Sequence, residues 1–234
     1  SVKRGNMDIR IKKEVFHRYP NLKIAFIAVT DIDNRTKLKE SKHLLNEAEK
    51  LVRLTFNKET VKSHHLISPW AVARKEFGRK AKHYQTSVEK LLEKVLSGKS
   101  VAAKDTLTNL IHYLALKNIV PFAIDDLKKI KKEYTFSIAT GKEKKRLSPD
   151  LTEGIFYCHD SKTILGTKLD YWKNPKTALS TKSTAALIHL DALPPLTTKK
   201  IKEVVDEAGN LISGFCGGKA KMFILDKKNN HKKI

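Results

Sequence analysis

Apolar residues fall along this chain in two rhythms. Lys23 to Thr30 (KIAFIAVT) is a short apolar run rich in branched side chains, which predicts a buried strand. From Leu38 to Phe56 the apolar positions Leu38, Leu44, Leu45, Ala48, Leu51 and Val52 instead share one helical face. Ser68-Pro69 predicts the start of a second helix, with serine as cap and proline in the first turn, where its missing N–H is no loss. Thr86-Ser87-Val88-Glu89 has capping-box spacing for a third helix. Its apolar face is Val88, Leu91, Leu92 and Val95, and Gly98 ends it. Asp105 caps a fourth, with Leu107, Leu110, Ile111 and Leu114 inward, and that helix must stop before Pro121.

Short strands are expected around Tyr134–Ala139, Gly154–Tyr157, Ile164–Thr167 and Ala186–Leu190. A last long helix runs from about Thr198 to Phe215, broken by Gly217-Gly218, and Met222 to Leu225 reads as a final strand. Helices early, strands late and a closing helix–strand unit give a mixed α/β (α+β) domain, with helices packed on a mostly antiparallel sheet. The expected organisation is a basic arm over residues 1–8, one domain over 9–225, and a mobile basic tail over 226–234.

Apolar residues make up 40% of the 234, enough to bury a core, so the chain as a whole is not expected to be disordered. Charge alters the picture more. Forty-seven Lys and Arg oppose 25 acids, a net +22, which points to a polyanionic partner over a merely lysine-rich surface. No apolar run approaches the about 18–20 residues of a membrane-spanning helix. The first residues lack the apolar stretch of a signal peptide, so the expected location is the cytoplasm. Cys158 and Cys216 are too few for a disulfide framework, and no Cys/His cluster has zinc spacing, so neither metal nor cofactor is expected. Phosphate-cradling glycine loops, a G-x-S-x-G elbow and an aromatic-rich RNA-binding pattern are also missing from the sequence.

Two segments resemble the editing domain of the phenylalanyl-tRNA synthetase beta chain and its free-standing relatives. In Leu107 to Ile130 (LTNLIHYLALKNIVPFAIDDLKKI), Asn109 and His112 stand where the family carries an Asp-x-x-Asn pair, and Pro121 and Asp126-Leu127 match directly. In Phe156 to Pro195, the family's tryptophan loop, Thr-x-x-Thr step, acidic residue and Pro-Pro look like Trp172, Thr181, Thr184, Asp191 and Pro194-Pro195. The segment WAVARKEFGRKAKHYQTSVEKLLEKVLSGK is similar to the lead-in of free-standing members. Three pocket positions depart from the synthetase pattern: Ala123, His112 and His189.

The resemblance implies helices on a β-sheet and hydrolysis of the ester that joins a wrong amino acid to tRNA, acting in trans on the acceptor end. The alternative is binding of tRNA or another structured RNA without chemistry. An aminoacyl ester is already activated, so its hydrolysis needs a positioned water and donors for the developing oxyanion. The ribose hydroxyl can assist.

The family's pocket positions nominate His112, His189, Thr181 and Asn109 as catalytic, and Tyr171, Trp172, Lys173, Asn174, Thr184 and Asp191 as substrate-binding. Each has an ordinary reading beside the functional one. Asn109 and His112 share a helix face that solvent would suit. The threonines suit a turn, His189 suits an apolar core, and Trp172 suits either a core or a stacked base. Arg74, Lys75, Arg79, Lys80 and Lys82, with Lys142, Lys144, Lys145 and Arg146, are the expected phosphate contacts. A single pocket holding His112, His189, Thr181, Trp172 and Asn109 is the geometric expectation.

Overall fold

The computed structural model describes residues 6–70, 85–143, 151–167 and 172–234. These form a mixed α+β fold in three layers. Five α-helices are described: α1 (Lys13–Arg18), α2 (Leu38–Thr55), α3 (Ser87–Leu96), α4 (Thr106–Asn118) and α5 (Thr198–Cys216).

The strands fall into two sheets. Four of them, β2 (Lys23–Thr30), β3 (Phe122–Asp126), β8 (Ala185–Ala192) and β9 (Lys219–Leu225), run antiparallel in the order β3-β8-β2-β9. The other six are β1 (Asp8–Ile11), β4 (Glu133–Ile138), β5 (Phe156–His159), β6 (Ile164–Thr167), β7 (Trp172–Lys173) and β10 (His231–Lys233), in the order β10-β1-β4-β5-β6-β7. Every pairing is antiparallel except that of β1 with β4.

The four-stranded sheet is covered on both faces. One face carries Ala25, Ile27, Val29, Ile188 and Leu190, which pack with the inner stripes of α2 to α5 in the larger core. The other carries Ile24, Phe26, Leu187 and Leu225, which meet Ile9, Tyr134, Phe136, Phe156 and Leu165 of the six-stranded sheet. Double coverage explains why β2 and β8 are near-continuous apolar runs and not alternating ones. All eight residues of β8 are buried, including His189 and Asp191.

Local signals place the helix ends. Thr86 accepts a hydrogen bond from the Glu89 N–H at 3.4 Å, and Asp105 accepts one from the Thr108 N–H at 2.9 Å, each satisfying a donor the first turn leaves free. α4 closes on Ile119 in the left-handed region, ahead of Pro121. Ser68–Trp70 turn helical where the expected second helix begins, and the rest of that helix lies outside the described residues.

The ends of the chain differ from expectation. Asp8 opens β1, and His231–Lys233 pair with it, Arg10 facing His231 and Asp8 facing Lys233. The segment read as a mobile tail is therefore the edge strand of a sheet. β3 was also absent from the sequence expectation.

Candidate functional site

The site is built by the register of the two sheets. Residues opposed across paired strands project to the same side. In the six-stranded sheet Phe136 faces Cys158, Cys158 faces Gly166, and Gly166 faces Lys173. That row looks toward the four-stranded sheet, where His189 and Asp191 of β8 and Asp125 of β3 project back. Glycine is required within the row, because its neighbours leave no room for a side chain: a Cβ on Gly166 would lie 3.1 Å from the Trp172 carbonyl oxygen and 3.2 Å from both Cys158 Sγ and Lys173 Cδ. Beside it lies a small hole lined by Phe136, Phe156, Cys158, Gly166, Thr167, Lys173, His189 and Asp191. Its free space, about 10 Å³, is room for one water molecule.

A buried polar network surrounds that hole. Lys173 Nζ donates to Asp125 Oδ2 at 2.6 Å and to Tyr134 Oη at 2.9 Å. Tyr134 Oη also meets Asp125 Oδ2 at 2.8 Å and His189 Nε2 at 3.1 Å. His189 Nδ1 lies 2.8 Å from Asp191 Oδ1, an arrangement that fixes the ring and leaves Nε2 on the tyrosine side. Thr177 Oγ1 donates to the other Asp125 oxygen at 2.5 Å. Phe26, Tyr134 and Phe136 enclose the imidazole. Burial, then the Asp125 charge, holds the Tyr134 hydroxyl protonated well above the usual tyrosine range. Burial likewise pushes the Cys158 thiol up to about 12, so it stays a thiol and not a nucleophilic thiolate.

Three of the residues expected from sequence therefore meet here: His189, Asp191 and Lys173. Trp172 and Asn174 flank Lys173. Trp172 is 40% exposed at the sheet edge, and Asn174 donates to the Ile164 carbonyl and caps the turn Pro175–Thr177. Thr181 sits in the turn before β8, and Thr184 is exposed with its carbonyl accepting from the Ile32 N–H. Tyr171, Arg74, Lys75, Arg79, Lys80, Lys82, Lys144, Lys145 and Arg146 lie outside the described residues, while Lys142 is exposed.

Of the five residues expected to share one pocket, only His189 lines this one: Thr181 stays in the turn before β8 and Trp172 at the exposed sheet edge. Asn109 and His112 belong to α4, in the helical layer, and the four-stranded sheet stands between them and His189. Asn109 is fully buried, accepting from the Ala103 N–H at 2.6 Å and donating to Ser41 Oγ at 3.1 Å. His112 Nδ1 meets the Val101 carbonyl at 2.8 Å. Sequence reasoning missed Asp125, Tyr134, Cys158, Gly166 and Thr177. The one available signal was Asp125-Asp126 inside an otherwise apolar stretch.

His112 carries a pH expectation of its own. Burial lowers its pKa below the ordinary value of 6.5, opposed by the Val101 carbonyl and by Asp105. The folded state thus takes up its proton later than the unfolded state does. Stability contributed by the neutral ring is present above pH 6.5 and is lost as pH falls from there toward the lowered folded value. His112→Gln is expected to flatten that acid-side decline, by at most about 1.4 kcal/mol per pH unit. Urea unfolding at pH 7.5, 6.5 and 5.5 measures it, and parallel curves for the two proteins would refute the assignment.

No three His, Cys, Asp or Glu among the described residues are grouped to hold a metal ion, and no described helix is long and apolar enough to cross a membrane. No protein-family model and no curated protein matches the chain. Among solved structures, it is similar to an N-terminal fragment of the phenylalanyl-tRNA synthetase beta subunit from Pyrococcus horikoshii. The match has 12% identity and a TM-score of 0.46, over 94% of this chain and 52% of that one. The chain thus spans about half the length of that fragment.

Proposed function

We propose that this chain hydrolyses the ester of mischarged aminoacyl-tRNA in trans, with the reacting water held in the hole beside Gly166. The observation that carries the reading is the His189–Asp191 pair and the Lys173 ammonium on the rim of a pocket sized for one water. In this scheme Asp191 orients the imidazole by accepting from Nδ1–H, the water replaces Tyr134 Oη as the partner of Nε2, and Nε2 takes a proton from the water as it attacks the ester carbonyl. Lys173 donates to the developing oxyanion. The tetrahedral intermediate then collapses, the C–O bond breaks, and the proton passes to the departing ribose oxygen. The net +22 charge supplies attraction to the tRNA backbone.

The test is a panel of tRNAs, each charged with a wrong amino acid, incubated with the protein while the ester is followed. Loss of ester from at least one member above the buffer rate is expected. A second reading, RNA binding without chemistry, draws on the fact that each network atom already has a protein partner, an arrangement that also serves a purely structural core. Tight tRNA binding with every ester intact would establish it and overturn the hydrolase.

A further inference from the structure

We infer that the C-terminal unit, β9, the turn after it and β10, is a docking surface for the phosphate backbone of structured RNA. Gly217 to Ile234 (GGKAKMFILDKKNNHKKI) holds Lys219, Lys221, Lys227, Lys228, Lys232 and Lys233, and one acid, Asp226. All six lysines are exposed. None has an ion-pair partner among the described residues, whereas Lys50, Lys117, Lys173 and Lys200 each do. Asp226 does not neutralise them, because its carboxylate accepts from the Lys228 and Asn229 N–H groups at 2.8 and 2.9 Å and closes the turn.

The surface is held rigidly. β9 pairs with β2 along its length and β10 pairs with β1, so the unit is tied to both sheets. Asn230 locks the approach to β10 by donating to the Ile11 carbonyl at 2.8 Å. A fixed array of unpaired ammoniums gains from counterion release without first ordering a flexible tail.

The surface also lies close to the intersheet site. Lys219 and Lys221 project to the same side of β9 as Phe223. Phe223 stacks on Phe26 at 5.1 Å, and Phe26 lies 6.0 Å from the His189 ring. Two stacked rings, Phe223 and Phe26, therefore separate an RNA lying on β9 from the His189 ring.

Nucleic acid fits better than a membrane surface. Met222 is the one large exposed apolar residue in the unit, and apart from Ala220 the rest of its exposed face is Lys, Asn and His. Lysine on an edge strand also deters sheet-to-sheet association, a role open to Lys219, Lys221, Lys232 and Lys233 but not to Lys227 and Lys228 in the turn.

The inference rests on the RNA-directed part of the reading above and is independent of ester hydrolysis. The test uses uncharged tRNA transcript, fluorescently labelled, titrated with full-length protein from 50 to 200 mM salt. One variant changes the six lysines of the unit to Gln. A control removes the same charge from the helical side through Lys39, Lys42, Lys58, Lys62, Lys199 and Lys202, also exposed and without ion pairs among the described residues. The C-terminal variant is expected to bind at least about tenfold more weakly at low salt, with a log–log salt slope reduced by about one per lost contact. The control is expected to keep most of the wild-type slope. Equal losses in the two variants would mean bulk charge and would overturn the docking surface. So would aggregation of the C-terminal variant with unchanged affinity of its monomer, or loss of binding to phosphatidylserine vesicles but not to tRNA. If the wild type binds no tRNA at all, both this inference and the RNA reading fail.

Discussion

Asp125→Ala is expected to destabilise the fold by about 3–5 kcal/mol, the range for removing one partner from a buried ion pair. At about 2–4 °C per kcal/mol for a chain of this size, the melting temperature should fall by about 6–20 °C. The reason is what the carboxylate holds. Asp125 is 1% exposed and receives three donors: the Lys173 ammonium, the Tyr134 hydroxyl and the Thr177 hydroxyl. Truncation leaves a mostly buried ammonium without its paired carboxylate and two hydroxyls without their acceptor. The same argument predicts a partial rescue. Asp125→Leu combined with Lys173→Met removes both charges, while Tyr134 keeps His189 and Thr177 keeps the Asn174 carbonyl. The double variant should therefore recover at least half of the single variant's loss. Thermal and denaturant unfolding decide it: a single variant within about 1 kcal/mol of wild type would mean the network contributes little.

What the sequence made legible follows from how local each signal is. β2 was readable because six consecutive apolar positions, Ile24 to Val29, need no partner to be recognised. α5 was readable from its stripe of Ile201, Val204, Val205, Ala208 and Ile212, all buried. The caps at Thr86 and Asp105 act within four residues of themselves. β1 and β10 escaped because each is short and is defined by distant partners: β10 pairs with β1 across more than two hundred residues, and β1 also pairs with β4 more than a hundred residues away. β3 escaped because FAIDD ends in two acids, and strand propensity disfavours Asp. Yet that alternation sends Asp125 to Lys173 on one face and Asp126 to the Ser183 hydroxyl on the other.

The site divides in the same way. His189, Asp191 and Lys173 were reached through the order of family-like motifs. The hole at Gly166 was not, because it arises from the register of three strand pairs, which no single segment carries. Helix spacing correctly put Asn109 and His112 on one helix. Which side of a sheet that helix covers is a tertiary fact, and there the sequence expectation parted from the structure.

That separation gives the sharpest functional contrast. His189→Ala is expected to lower ester hydrolysis by about 10²–10⁴-fold, the usual contribution of a positioned general base. His112→Ala is expected to leave the rate within about twofold of wild type, since the helix holding it packs on the far face of the four-stranded sheet. Uncharged tRNA affinity should be nearly the same in both, because neither imidazole belongs to the exposed cationic surface. His189→Ala also removes a ring from the core, so a loss of rate alone could report unfolding. Asp191→Asn controls for this: it keeps a hydrogen-bond acceptor near His189 Nδ1 but removes the charge that would stabilise an imidazolium. It should fold with near-native melting and still lose rate, because the 2.8 Å contact no longer supplies the charge that holds the ring and its proton during attack. Steady-state rates at pH 7 on one mischarged tRNA, beside thermal melting of each variant, measure it. Wild-type rates for both His189→Ala and Asp191→Asn would leave hydrolysis to the ribose hydroxyl and make the buried imidazole a structural element only.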